Sequence, residues 1–212
     1  MNDQRDGGIE YVTFTVNPIS GCLSTKCPFC YARAIYKRYN LDFTPQFHPE
    51  RMKNFDKISK KKEKQRVFVG SVTDMWGDGV MASWLDEVFR GIENVPQHDF
   101  LTLTKQPRRV KGEHFPPNAI CGMTVIGLEE DEYFDQIEYQ WGQAKRRFIS
   151  FEPLLNTAWR ALKFIQGCEF IIIGSQTKPN VAMDKHWVDE IEIEAHKHRV
   201  PIIHKHNFLV KE

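Results

Sequence analysis

The 212-residue chain has no apolar run approaching the roughly 18 residues a membrane helix requires, and Phe170 to Ile173 is only strand-sized. Its first residues, MNDQRDGGIE, lack both a basic leader and an apolar stretch, so nothing in them points to export. Excess charge of one sign is also missing: 29 basic against 28 acidic residues leave a net charge of +1, which argues against a general nucleic-acid-coating surface. Cysteine is scarce at five residues, and in the reducing cytoplasm expected here thiols serve as ligands or core residues rather than bridges. What remains is ordinary for a soluble globular protein, 41% hydrophobic and 27% charged, and a single domain over residues 1–212 is expected.

The charge is unevenly spread. KISKKKEKQR, Lys57 to Arg66, is basic, and LEEDEYFDQIE, Leu128 to Glu138, is acidic. A solvated helix end and a solvated helix face account for both, with a phosphate-bearing partner near the basic run as the second reading.

Short runs rich in valine, isoleucine and phenylalanine predict strands at 13–16, 66–72, 100–104, 119–125, 147–151, 170–175 and 201–205. Between them, Leu85, Val88, Phe89 and Ile92 recur at helical spacing, with Ser83 and Asp86 as a candidate N-cap pair. Trp187, Val188, Ile191 and Ala195 form a second stripe, with Asp184 placed to cap it. Further helices are predicted at 30–39, 131–145 and 157–165. Strands alternating with helices imply an α/β fold with a mainly parallel sheet. Almost every strand ends in polar residues: Asn17; Ser71, Thr73 and Asp74; Thr104 and Lys105; Thr124; Ser150 and Glu152; Ser175 and Gln176; Lys205 and His206. In a (β/α) barrel such ends converge on one mouth, so a partial or near-complete barrel of the TIM type is favoured over an open doubly wound sheet.

Three of the cysteines cluster as C-x4-C-x2-C, at Cys22, Cys27 and Cys30, just after the first of these strands and before a helix. Cys121 and Cys168 lie beside apolar segments, where core packing is expected. Three thiols are one short of a closed zinc site, and His48 is the candidate fourth ligand for zinc. A [4Fe–4S] cluster held by three cysteines instead leaves one iron open.

The cysteine group, with Phe29 just before the last cysteine, resembles the radical S-adenosylmethionine superfamily, whose usual spacing is C-x3-C-x2-C; the first gap here is one residue longer. The closest resemblance is to a phage-associated family similar to spore photoproduct lyase. It rests on VNPISGC, CPFCYA, HPER, VFVGSVTD, LTLTKQPRR, FISFEPLL and VPIIHK, in that order along most of the chain. A departure follows the 170–175 strand, where the family's GGE is GSQ, Gly174 to Gln176.

The resemblance implies an enzyme that binds a [4Fe–4S] cluster through Cys22, Cys27 and Cys30. S-Adenosyl-L-methionine would chelate the open iron, and one electron would generate a 5′-deoxyadenosyl radical that abstracts hydrogen from a substrate. Phe29 would pack near the adenine, while Ser71, Thr73, Asp74, Ser150 and Glu152 are candidates for binding the cofactor. Lys105, Gln176 and Lys205 are candidates for substrate, each lysine having a carboxylate partner such as Glu152 as its plainer role. No catalytic residue is assigned. Implied partners are an external electron donor such as a flavodoxin or ferredoxin and a small-molecule or nucleic-acid-derived substrate. The alternative is a non-enzymatic zinc- or iron–sulfur-binding module contacting nucleic acid through residues 57–66.

Overall fold

The computed structural model describes residues 1–5, 8–25, 27–110, 115–134, 137, 141, 144–177 and 179–212. The chain is mixed α/β and carries a mostly parallel sheet of eight strands. These are β1 (Asn2–Asp3), β2 (Phe14–Val16), β3 (Arg66–Val69), β4 (Asp99–Thr104), β5 (Ala119–Thr124), β6 (Arg147–Phe151), β7 (Phe170–Ile173) and β8 (Ile202–His204). The chain divides into two compact units, Met1–Gln106 with Glu113–Ile120, and Pro107–Gly112 with Cys121–Glu212. Among the described residues no helix is long and apolar enough to cross a membrane.

In the first unit β2 and β3 run parallel, with Phe14 opposite Val67 and Val16 opposite Val69, and β3 and β4 run parallel from Arg66 opposite Asp99. β1 adds an antiparallel edge on β2 that the apolar pattern did not predict, because its two residues, Asn2 and Asp3, are polar and exposed. Strands buried on both faces read as near-continuous apolar runs, and Val16, Val67, Val69, Phe100 and Leu101 are accordingly fully buried. Among its described residues are the α-helices α1 (Tyr31–Arg38), α2 (Lys53–Ser59) and α3 (Ala82–Glu93). α3 buries Val88 and Ile92 as its stripe predicts. Its N-cap is Met81, with no side-chain hydrogen bond, so the expected Ser83–Asp86 cap is corrected: Ser83 lies one residue inside the helix.

In the second unit β5 from Cys121 onward, β6, β7 and β8 run parallel, and among the described residues β8 pairs with β7 alone. The helix expected at 131–145 is described as α4 (Asp131–Phe134), and most of its remainder lies outside the described residues. The segment expected as a helix at 157–165 is a 3-10 turn over Trp159–Phe164, which buries Ala161 and Phe164. α5 (Lys185–Lys197) starts where predicted, with Asp184 as N-cap accepting from the His186 N–H at 2.9 Å.

Candidate functional site

The cysteine loop of the first unit begins at a glycine that nothing else can replace. Gly21 has φ +82°, and a Cβ there would meet the Thr44 carbonyl oxygen at 2.1 Å. That close approach lets the Cys22 N–H donate to the Phe43 carbonyl at 2.8 Å and lets Gly21 bridge Thr73, whose hydroxyl donates to the Gly21 carbonyl at 2.6 Å. At its other end the loop is closed by Cys30, the N-cap of α1, whose Sγ accepts from the Arg33 N–H at 3.4 Å. The Cys22 Sγ likewise accepts from the Ser24 N–H at 3.4 Å, and Ser24 also hydrogen-bonds the Cys27 thiol.

Arg33, to which no sequence motif assigns a role, ties the loop together. Its guanidinium donates to the carbonyls of Cys22 at 2.9 Å and Ser24 at 2.7 Å while lying over the Phe43 ring. Its signal in the sequence was its place three residues after a capping cysteine, where its own N–H reaches the cap. The three cysteines are half-buried, and no disulfide joins them. Burial pushes the thiols of Cys22 and Cys27 above their ordinary range, and the mutual repulsion of the neighbouring thiolates adds to it. Lys105 opposes this at Cys27, and Asp74 reinforces it at both. Phe29 is half-buried in the turn between Cys27 and Cys30.

The motifs before and after the loop brace it. His48 places Nε2 2.7 Å from the Ser20 hydroxyl and Nδ1 3.6 Å from Glu50, and its N–H donates to the Pro18 carbonyl. Arg51 donates to the Asn17 carbonyl at 3.1 Å. The imidazole expected as a zinc ligand in the alternative reading is thus occupied in holding the segment that leads into the loop.

The strand-end polar groups of this unit are spoken for by the chain itself. Ser71 donates to Asn17 Oδ1 at 3.1 Å, and Thr73 is engaged with Gly21. The Asp74 carboxylate accepts from the Thr104 hydroxyl at 2.6 Å, the Lys105 N–H at 2.8 Å and the Trp76 N–H at 3.1 Å. Asp74 therefore fixes the end of β4, and with it the position from which the Lys105 side chain departs.

The second unit holds the other candidates. Ser150 pairs in register with Thr124 and Ile172, and its hydroxyl is buried with no hydrogen-bond partner. Glu152 follows β6 rather than lying in it, and its Oε1 accepts from Lys205 Nζ at 2.6 Å. This is the plainer role foreseen for Lys205. Gly174 makes room for the pair, since a Cβ there would lie 3.3 Å from both Glu152 Cγ and Lys205 Cδ. Gln176, which replaces the acidic residue of the resembled pattern, donates to the Pro179 carbonyl at 3.1 Å in a small hairpin.

Thiols are the donor type an iron–sulfur cluster takes, although among the described residues no group of three or more such side chains is drawn close enough to hold a metal ion. Three thiols stand on one short, braced segment, and backbone N–H groups already point at two of the sulfurs, as they do toward thiolate ligands that carry a cluster's negative charge.

An α/β fold with a braced three-cysteine loop after a parallel strand thus defines the class. The chain belongs to the DUF5131 family, described as protein of unknown function, whose profile matches residues 6–208. No curated protein and no solved structure matches it.

Proposed function

We propose that this chain is a radical S-adenosylmethionine enzyme, a single (β/α)-barrel-type domain of the cytoplasm that holds a [4Fe–4S] cluster through Cys22, Cys27 and Cys30. The observation that carries this reading is the loop itself: three half-buried thiols between a glycine-anchored strand end and a helix cap, two of them already accepting backbone N–H groups. Once bound and reduced by an external donor such as a flavodoxin or ferredoxin, the cluster would supply the electron that cleaves S-adenosylmethionine and so initiates hydrogen abstraction from a substrate.

The chain's own residues would bind and orient. Phe29 would offer an apolar face to the adenine, and Ser150, whose buried hydroxyl lacks a partner, would hydrogen-bond a polar group of the cofactor. Asp74 would act through others, holding Lys105 and the strand end beside the thiols. Lys205, Glu152 and Gln176 would meet substrate, a small molecule or a nucleic-acid component, once the Lys205–Glu152 pair is shared with it.

Anaerobic reconstitution with iron and sulfide, followed by dithionite and S-adenosylmethionine, tests the reading. About four irons per chain and release of 5′-deoxyadenosine are expected. Cys27→Ala should lose both, and wild-type protein that takes up one zinc and no sulfide would overturn the assignment.

A further inference from the structure

α1 presents to solvent a face that its place in the fold does not require. Among its residues only Ala32 is buried, while Tyr31, Ile35 and the capping Tyr39 are 56%, 43% and 66% exposed. Tyr31, Ile35, Arg38 and Tyr39 stand at i, i+4, i+7 and i+8, within about 100° of arc, so the exposed apolar groups and a cation share one stripe. The opposite side accounts for the packing: Arg33 lies over Phe43, and Tyr36 meets the same ring edge-on at 4.8 Å. From Tyr11 to Leu41 the chain has Lys26, Arg33, Lys37 and Arg38 and no acidic residue. Among the described residues neither Lys37 nor Arg38 has a carboxylate partner. Cations in a last turn are favoured by the helix dipole, which explains Lys37 and Arg38 but not the exposed rings beside them.

We propose that this face of α1 is a docking surface for single-stranded nucleic acid, with Tyr31 and Tyr39 as stacking platforms, Arg38 on a backbone phosphate and the long side chain of Lys37, about 100° further round the helix, reaching a second phosphate from the flank. Every base has a π-face, so exposed aromatics interleaved with unpaired cations suit a single strand of any sequence. The Tyr31 hydroxyl donates to the Ser71 carbonyl, so that ring is already held and loses little freedom on stacking. A protein partner fits less well, because a helix of this length is a ridge of about 12 Å, short for the roughly 800 Å² that each side of a standard protein interface buries. Because Cys30 caps this helix, a strand on it would pass beside the thiol loop. Only that link to chemistry rests on the proposed function; the docking surface does not.

The test is fluorescence anisotropy of a fluorescein-labelled oligothymidylate of about 12 nucleotides at about 50 mM salt, with the chain either free of cluster or loaded. The single strand should bind, with affinity falling with salt at a slope near −1.4, the value for about two phosphate contacts. Lys37→Glu with Arg38→Glu should weaken binding at least about tenfold, and Tyr39→Ala about fivefold or more at unchanged salt slope. All these side chains are exposed, so circular dichroism and melting temperature should stay as in wild type. No binding at low salt, tighter binding of the matching duplex, or variants that bind as well as the parent would each overturn the proposal. So would loss of binding only in Lys60→Glu with Lys61→Glu and Lys62→Glu, or the same α1 variants abolishing capture of an acidic protein such as flavodoxin but not of the oligonucleotide. Binding without 5′-deoxyadenosine formation would sink the enzymatic reading and leave this one standing.

Discussion

The two units treat the same kind of residue differently. In the first, the polar groups at the strand ends are consumed by the chain: Ser71 on Asn17, Thr73 on Gly21, and Asp74 on three donors. In the second, the Ser150 hydroxyl and Asn207 Oδ1 are buried without a partner, and the charged groups of Glu152 and Lys205 pair with each other. A saturated polar group positions, because its geometry is already fixed; an unsatisfied one invites a ligand, because its desolvation has not been offset. The first unit builds a holder for the thiols and leaves the Thr102 hydroxyl, inside β4, unpartnered, whereas the second keeps such groups at and beyond its strand ends.

Breaking the saturated side should have the larger effect. Asp74→Asn keeps Oδ1 but puts an NH₂ against the Lys105 N–H, so one hydrogen bond becomes a donor–donor clash and the charge that strengthens the others is lost. A destabilisation of about 3 kcal/mol is expected, seen as a lower urea midpoint. Loss of less than about 1 kcal/mol would mean that Asp74 is free to bind a ligand instead. In the second unit, Glu152→Gln leaves the Lys205 ammonium, 14% exposed, without its counter-charge. About 2 kcal/mol should be lost, and Lys205→Met in the same chain should restore part of it, as expected for a largely desolvated pair.

A smaller effect separates structural from ligating thiols. Burial pushes the Cys168 thiol from its ordinary value of 9.0 up to about 12, with Arg147 opposing weakly. Because the folded value is raised, the stability is fully present below the unfolded value and is lost as pH rises through the window from about 9 to about 12. At pH 10 the loss should be about 1 kcal/mol. Urea midpoints measured from neutral to alkaline pH should fall less steeply in Cys168→Ala, and an unchanged slope would show that this thiol does not titrate with folding.

The legible parts of the sequence were those governed by periodicity. Every predicted strand is present, its ends within three residues of those expected and the largest difference at 66–72, which stops at Val69, because strands buried on both faces must be continuously apolar, and Asp184 caps α5 because a carboxylate before an apolar stripe has few other uses. The misses share a cause. Ser83 lost its cap to a backbone that enters the helix two residues earlier, at Met81, and the 157–165 segment tightened to a 3-10 turn around buried Ala161 and Phe164. Both depend on tertiary fit rather than local pattern. In the candidate site the cysteines were legible by spacing, but Arg33 and the brace from His48 to Ser20 join residues whose pairing no one-dimensional pattern marks. The roles of Ser71, Thr73 and Asp74 were likewise hidden, since a polar strand end looks the same whether its partner is a ligand or the next loop.

The smallest expected change bears most directly on the contrast between the units. Ser150→Ala removes a hydroxyl that is 1% exposed and has no partner, so the folded state loses no hydrogen bond and sheds a desolvated group. Without cofactor the melting temperature should stay level or rise, a change within about 1 kcal/mol. With reconstituted protein, the increase in melting temperature that S-adenosylmethionine produces in the parent should shrink in the variant, because a ligand stabilises in proportion to its affinity for the folded state. A marked loss of stability in the free protein would mean that the hydroxyl is satisfied within the fold, and the second unit would then resemble the first.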